Sequence, residues 1–166
     1  MDSAAGAGCA MRRKLPGEAD SGNRILIPTL RALGVAGLDG LILSHDDSDH
    51  TGGAFAVLAQ QPQARLTGSI AGDPALQTLG PVTPCLAGQR WQWDGVVFEV
   101  LHPAASDYQA ARKPNAMTCV LRVSNASRTV LLAGDIEQAQ EARLAADASA
   151  LRADLLLVPH HGSKTS

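Results

Sequence analysis

The chain has 166 residues, 45% hydrophobic and 18% charged, with a formal net charge of −2. That length and apolar content suit one globular domain with a real core, and the slight negative charge excludes a general basic field of the kind that attracts nucleic acid. No apolar stretch reaches the roughly 18–20 residues needed to cross a bilayer, and residues 1–10 lack the basic start of a secretory signal, so the chain reads as soluble with no export address.

With aromatics at 3%, the core must be built mainly from Leu, Val, Ile and Ala. Residues 24–33 place Leu26, Leu30 and Leu33 at helical spacing, with Pro28 near the first turn and Gly34 as the stop. Residues 38–43 predict a short apolar strand and residues 53–60 a helix. Residues 65–69 follow as the next strand, then a short helix over 73–79 with Asp73 as cap and Pro74 at its first position. Residues 90–93, 96–101, 118–123 and 129–133 read as strands, with Asp94-Gly95 as the clearest turn. Residues 104–114 lack periodicity and read as a loop, 136–151 as a helix, and 154–158 as a final buried strand. Cys9, Cys85 and Cys119 are widely separated and fit neither a CxxC metal site nor a dense disulfide framework. Cys119, in Cys119-Val120-Leu121, reads as a small core residue. The basic clusters Arg12-Arg13-Lys14 and Arg112-Lys113 read as solvated faces.

The most informative segment is Ser44-His45-Asp46-Asp47-Ser48-Asp49-His50-Thr51-Gly52-Gly53, which leaves the apolar run Leu41-Ile42-Leu43 where a strand should end. His45, Asp47, Asp49 and His50 are four potential metal ligands close together. Carboxylates so crowded repel one another unless a cation neutralises them. Two further apolar strands end in ligand types: Leu131-Leu132-Ala133-Gly134-Asp135, and Leu155-Leu156-Leu157-Val158-Pro159-His160-His161-Gly162-Ser163. Each alone is commonplace, a turn aspartate or a surface histidine pair. Three strand ends of this kind in one α/β chain point to a metal centre. Gly52 and Gly53 would let backbone N–H groups at a helix N-terminus approach a phosphate.

The ordered set SHxDxDHxGG, LLxGD and VPHHGSKTS resembles the metallo-β-lactamase superfamily, and more narrowly the metallo-β-lactamase-like domain of the ComEC DNA-uptake channel of naturally transformable bacteria. The resemblance implies an α/β fold of the αββα sandwich type, with residues 17–166 forming the domain and residues 1–16 a non-matching, disordered segment. The family has a DVGQGDA-like strand before this region and continues beyond HHGSKTS, so the domain is expected to be incomplete.

Carried over by position, His45 and Asp47 should serve one metal, Asp49 and His50 the other, with Asp135 bridging and His160 as a further ligand in preference to His161. The superfamily's middle ligand histidine has no secure counterpart; Asn115 and His102 are the candidates nearby. Asp47, standing where the wider superfamily has histidine, enriches the site in oxygen and shifts preference from zinc toward manganese or magnesium. The implied chemistry is metal-assisted cleavage of phosphodiester bonds in incoming single-stranded DNA. One or two divalent ions, Mn or Zn with Mg as a further option, would serve it, with Asp49 or Asp47 orienting the attacking water. Ser163 and Lys164 are candidate phosphate contacts. Implied partners are DNA and competence-channel proteins, at the inner membrane with the domain on its outer side. The alternatives are a non-catalytic remnant that binds metal or DNA without turnover, and a metallo-hydrolase for another phosphoester or ester.

Overall fold

The computed structural model describes residues 20–110 and 113–166, so the expectations for residues 1–16 and for Arg112 lie outside the described residues. A π-helical turn, Gly22–Leu26, runs directly into helix α1, Ile27–Ala32, with Pro28 near the start of α1. The buried face differs from the one the leucine spacing predicts. Gly22 and Ile27 face inward, while Leu26 and Leu33 are exposed, because the wide π turn changes the rotation per residue. Gly22 touches Gly53 backbone to backbone: a Cβ on Gly53 would lie 2.7 Å from the Gly22 nitrogen.

Strand β1 (Gly40–Leu43) leads through the ligand loop to α2 (Ser48–Thr51) and α3 (Ala54–Gln60), and then to β2 (Arg65–Gly68). Asp73 accepts a hydrogen bond from the Ala75 N–H at 2.8 Å, but the expected helix there is a 3-10 turn, Leu76–Leu79. A strand the sequence did not suggest, β3 (Val82–Pro84), follows; its proline and brevity hide it. These three strands form a parallel sheet in the order β1-β2-β3.

The second sheet contains β4 (Arg90–Trp93), β5 (Val96–His102), β6 (Val120–Ser124), β7 (Thr129–Leu132) and β8 (Leu155–Leu157), in that spatial order. Pairing is antiparallel as far as β7; β8 then joins parallel after helix α4 (Gln138–Ala145) has crossed over. Helix α4 is shorter than expected, and the chain to Leu151 continues in turns. The 104–114 loop holds a 3-10 turn, Ala105–Gln109.

Three apolar clusters define the layers. Ala54 and Leu58 of α3 pack on Leu43 and Leu66. Between the sheets lie Cys85, Val100, Cys119 and Leu121, flanked by Trp91 and Phe98. On the far side Leu144 of α4 covers Val120, Leu131, Ala133 and Ile136. The order helix, sheet, sheet, helix is the expected α/β sandwich.

Two further expectations are corrected. Cys119 is not merely a packed thiol: it forms a disulfide with Cys85, Cα atoms 5.8 Å apart, tying the end of β3 to the start of β6 across the sandwich. The strand over 154–158 is not buried. Leu155 is 62% and Val158 61% exposed, because β8 is a sheet edge that nothing among the described residues covers. Among the described residues no helix is long and apolar enough to cross a membrane.

Candidate metal centre

The C-terminal ends of β1, β7 and β8 meet at one edge of the sandwich. After β1 the Ser44 carbonyl accepts a 2.7 Å hydrogen bond from the Cys119 N–H, so the other sheet anchors the ligand loop. Asp47 is the N-cap residue immediately before α2, and the helix carries Asp49 and His50 back toward the strand ends. After β7, Gly134 adopts φ +56°, and a Cβ there would run into the Thr118 side chain; this turn delivers Asp135 into the site. After β8, the His160 N–H donates to the Gly134 carbonyl at 3.0 Å, joining the last two strand ends. His160 and His161 both have positive φ, 45° and 54°, a backbone form uncommon for non-glycine residues, and this sharp turn points their side chains in different directions.

One ligand atom from each of Asp49, His50, Asp135 and His161 falls within 4.8 Å of the others. His50 Nε2 lies 3.2 Å from Asp135 and 3.5 Å from Asp49. His161 Nε2 lies 3.4 Å from both carboxylates. His45 is fully buried, its ring 4.1 Å from that of His50 and its Nε2 3.5 Å from Asp47. Burial, reinforced by the neighbouring His50, pushes the His45 pKa down. Burial also pushes Asp49 up, but its backbone hydrogen bond and the His50 and His161 imidazoles outweigh this and hold it below the usual carboxylate range. A neutral imidazole beside ionised carboxylates is the state a cation needs. The fit to a metal rests on a sharper observation: the Nε2 atoms of His45 and His50 are buried and make no hydrogen bond. Such atoms cost free energy unless something binds their lone pair. The mixed imidazole and carboxylate donors suit a divalent ion such as Zn(II) or Mn(II).

The sequence matches the metallo-beta-lactamase superfamily over residues 16–166. The chain belongs to that superfamily. It is 38% identical over 143 residues to Recombination protein 2 of Haemophilus influenzae, covering 85% of this chain and 17% of the relative. It is 39% identical over 142 residues to Competence protein ComA of Neisseria gonorrhoeae, covering 85% and 19%. With ComE operon protein 3 of Bacillus subtilis it shares 34% over 155 residues, covering 87% and 20%. The chain therefore spans about a fifth of the length of these relatives or less.

Within this metallo-β-lactamase domain the residues singled out from sequence divide into two groups. His45, Asp47, Asp49, His50 and Asp135 converge, and His161 joins them. His160, the histidine preferred from sequence, points elsewhere: Nδ1 is 2.7 Å from the Thr165 hydroxyl, and Nε2 lies 3.3 Å from Asn115 Nδ2. Asn115 also approaches Glu137 at 3.5 Å. It is not one of the four-residue group. His102 lies apart in the core, its Nδ1 2.7 Å from the Thr118 carbonyl and its Nε2 3.6 Å from Asp107. Ser163 bonds Thr165, and Lys164 is exposed. Gly53 is taken up by the contact with Gly22 rather than left open to a ligand. The sequence reading missed Ser44, whose hydroxyl touches both loop histidines, and Glu137, two residues beyond Asp135. Their adjacency to the motifs was the available signal.

Proposed function

We propose that this domain is a metal-dependent hydrolase that cleaves phosphodiester bonds of DNA during its uptake. The observation that carries the reading is the pair of buried, unbonded histidine Nε2 atoms facing Asp47, Asp49 and Asp135. Superfamily membership supports hydrolysis, and the name Competence protein carried by one relative supports DNA as substrate. When bound, one or two divalent cations supply Lewis-acid stabilisation of charge on a phosphoryl oxygen and a water of lowered pKa.

The chain's own residues have distinct tasks in this reading. His50, His161, Asp49 and Asp135 hold one ion, and His45 with Asp47 holds a second position beside it. Asp135, with one oxygen toward His50 and the other toward His161, joins the two histidines. Asp49 is the more exposed carboxylate, at 61% against 7% for Asp135. It is therefore the group that reaches solvent to orient an attacking water and take its proton. Ser163 and Lys164, on the turn after His161, are phosphate contacts. The Cys85–Cys119 disulfide supports an oxidising compartment, in keeping with the outer face of the inner membrane and with competence-channel partners.

The test is hydrolysis of single-stranded DNA by protein loaded with Mn(II) or Zn(II), beside phosphomonoester and lactone substrates. Asp135→Ala is expected to lower nuclease activity by about 100-fold or more, the share of several kcal/mol of charge stabilisation. Activity that survives this substitution would remove the reading; turnover of a phosphomonoester or lactone alone would move it to another substrate class.

A further inference from the structure

The imidazoles of His45 and His50 share a contact that the ligand set does not explain. Ser44 Oγ stands 3.1 Å from Nδ1 of His45 and 3.2 Å from Nδ1 of His50. Both rings therefore turn their Nε2 atoms away from Ser44, toward the carboxylates, where those atoms lie buried without a hydrogen bond.

We propose that Ser44 is a positioning residue shared by both loop histidines: one hydroxyl oxygen fixes the ring orientation and tautomer of His45 and His50 together. The inference rests on the metal reading above and deepens it. An imidazole that offers its lone pair at Nε2 carries its proton on Nδ1. Two Nδ1–H donors then converge on one oxygen. A serine hydroxyl has two acceptor lone pairs, so it takes both and turns its own hydrogen to a third group. Alanine has no acceptor, and both rings would then be free to turn.

The surroundings hold Ser44 to this task. Its carbonyl is fixed by the Cys119 N–H at 2.7 Å. Its Cβ lies against Gly134, where an added Cβ would stand 3.5 Å away. The strand-end residue of one sheet is thus clamped by the other sheet, and the clamp continues through the Cys85–Cys119 disulfide. A ligand histidine oriented by an outer partner typically loses 10–100-fold in metal affinity when that partner is removed. Here one substitution acts on two ligands.

The experiment compares wild type, Ser44→Ala and Ser44→Thr by Zn(II) affinity in chelator competition. It also reads histidine tautomers by long-range ¹H–¹⁵N NMR, with and without Zn(II). Ser44→Ala is expected to keep the fold by circular dichroism, to lose at least about 10-fold in affinity, and to lose the slowly exchanging Nδ1–H signals of both His45 and His50. Ser44→Thr, which keeps the hydroxyl, is expected to restore both signals. Wild-type affinity in Ser44→Ala, or a wild-type spectrum with the proton on Nε2 of either ring, overturns the proposal. If wild type binds no Zn(II), the metal reading falls, while the tautomers of the metal-free protein still decide whether Ser44 orients the rings.

Discussion

His160 and His161 are neighbours in the chain with different surroundings. His161 faces Asp49 and Asp135, each at 3.4 Å; His160 is held by Thr165 and Asn115. His161→Ala is therefore expected to lower divalent-ion affinity by more than the 10–100-fold of an outer-shell loss, and His160→Ala by less; calorimetric titration with Mn(II) separates them. The sequence announced a histidine after the last strand but not which one. Nearness to the strand end favoured His160, whereas the choice depends on two successive positive φ angles that apolar patterning does not encode. The loop was legible as a candidate site because four residues able to ligate a metal within six positions have few other uses. Asp107 is the second residue with a definite expectation. The Arg143 guanidinium, in two hydrogen bonds of 3.0 and 2.8 Å, holds its pKa down to about 2 from the ordinary 3.8. A depressed carboxyl pKa adds stability that is present above the unfolded value and lost as pH falls from about 3.8 through about 2. In urea titrations, wild type and Arg143→Met should thus differ above pH 4 and converge as pH approaches 2.

Elements were easier to find than to orient. The first four strands of the larger sheet, β4 to β7, fall where the sequence put them, to within two residues at either end, because short apolar runs rich in Val, Leu and Trp are bounded there by turn residues. The first helix was located, but its buried face was misread, since the π turn at Gly22–Leu26 breaks the rotation that leucine spacing assumes. That turn has a specific seat, the backbone contact between Gly22 and Gly53. Gly53→Ala, whose Cβ would meet backbone that cannot swing aside, is expected to destabilise by about 1–3 kcal/mol in chemical denaturation. A variant as stable as wild type would show that this turn is loosely held. Strand β8 was recognised as an apolar run, but apolar composition alone could not reveal that its outer face stays exposed.

At the scale of the molecule the two sheets are joined where the site is built. Cys85 and Cys119 lie 34 residues apart, a separation with no sequence signature of pairing, and only the sandwich brings them together. Replacing both by alanine is expected to remove about 2–4 kcal/mol of stability, read from denaturation midpoints with and without reductant. The Cys119 N–H, which alanine keeps, also holds the Ser44 carbonyl; losing the covalent tie beside that bond should loosen the ligand loop, seen as faster amide exchange at residues 44–50 than in α4. The whole account turns on imidazoles and carboxylates from three distant strand ends meeting around a divalent ion. Anomalous diffraction at the Mn and Zn edges, on crystals grown with each metal, tests this most directly. The account predicts a peak within bonding distance of Asp49, His50, Asp135 and His161, with any second peak beside His45 and Asp47. Folded protein with no anomalous peak at these residues would contradict it.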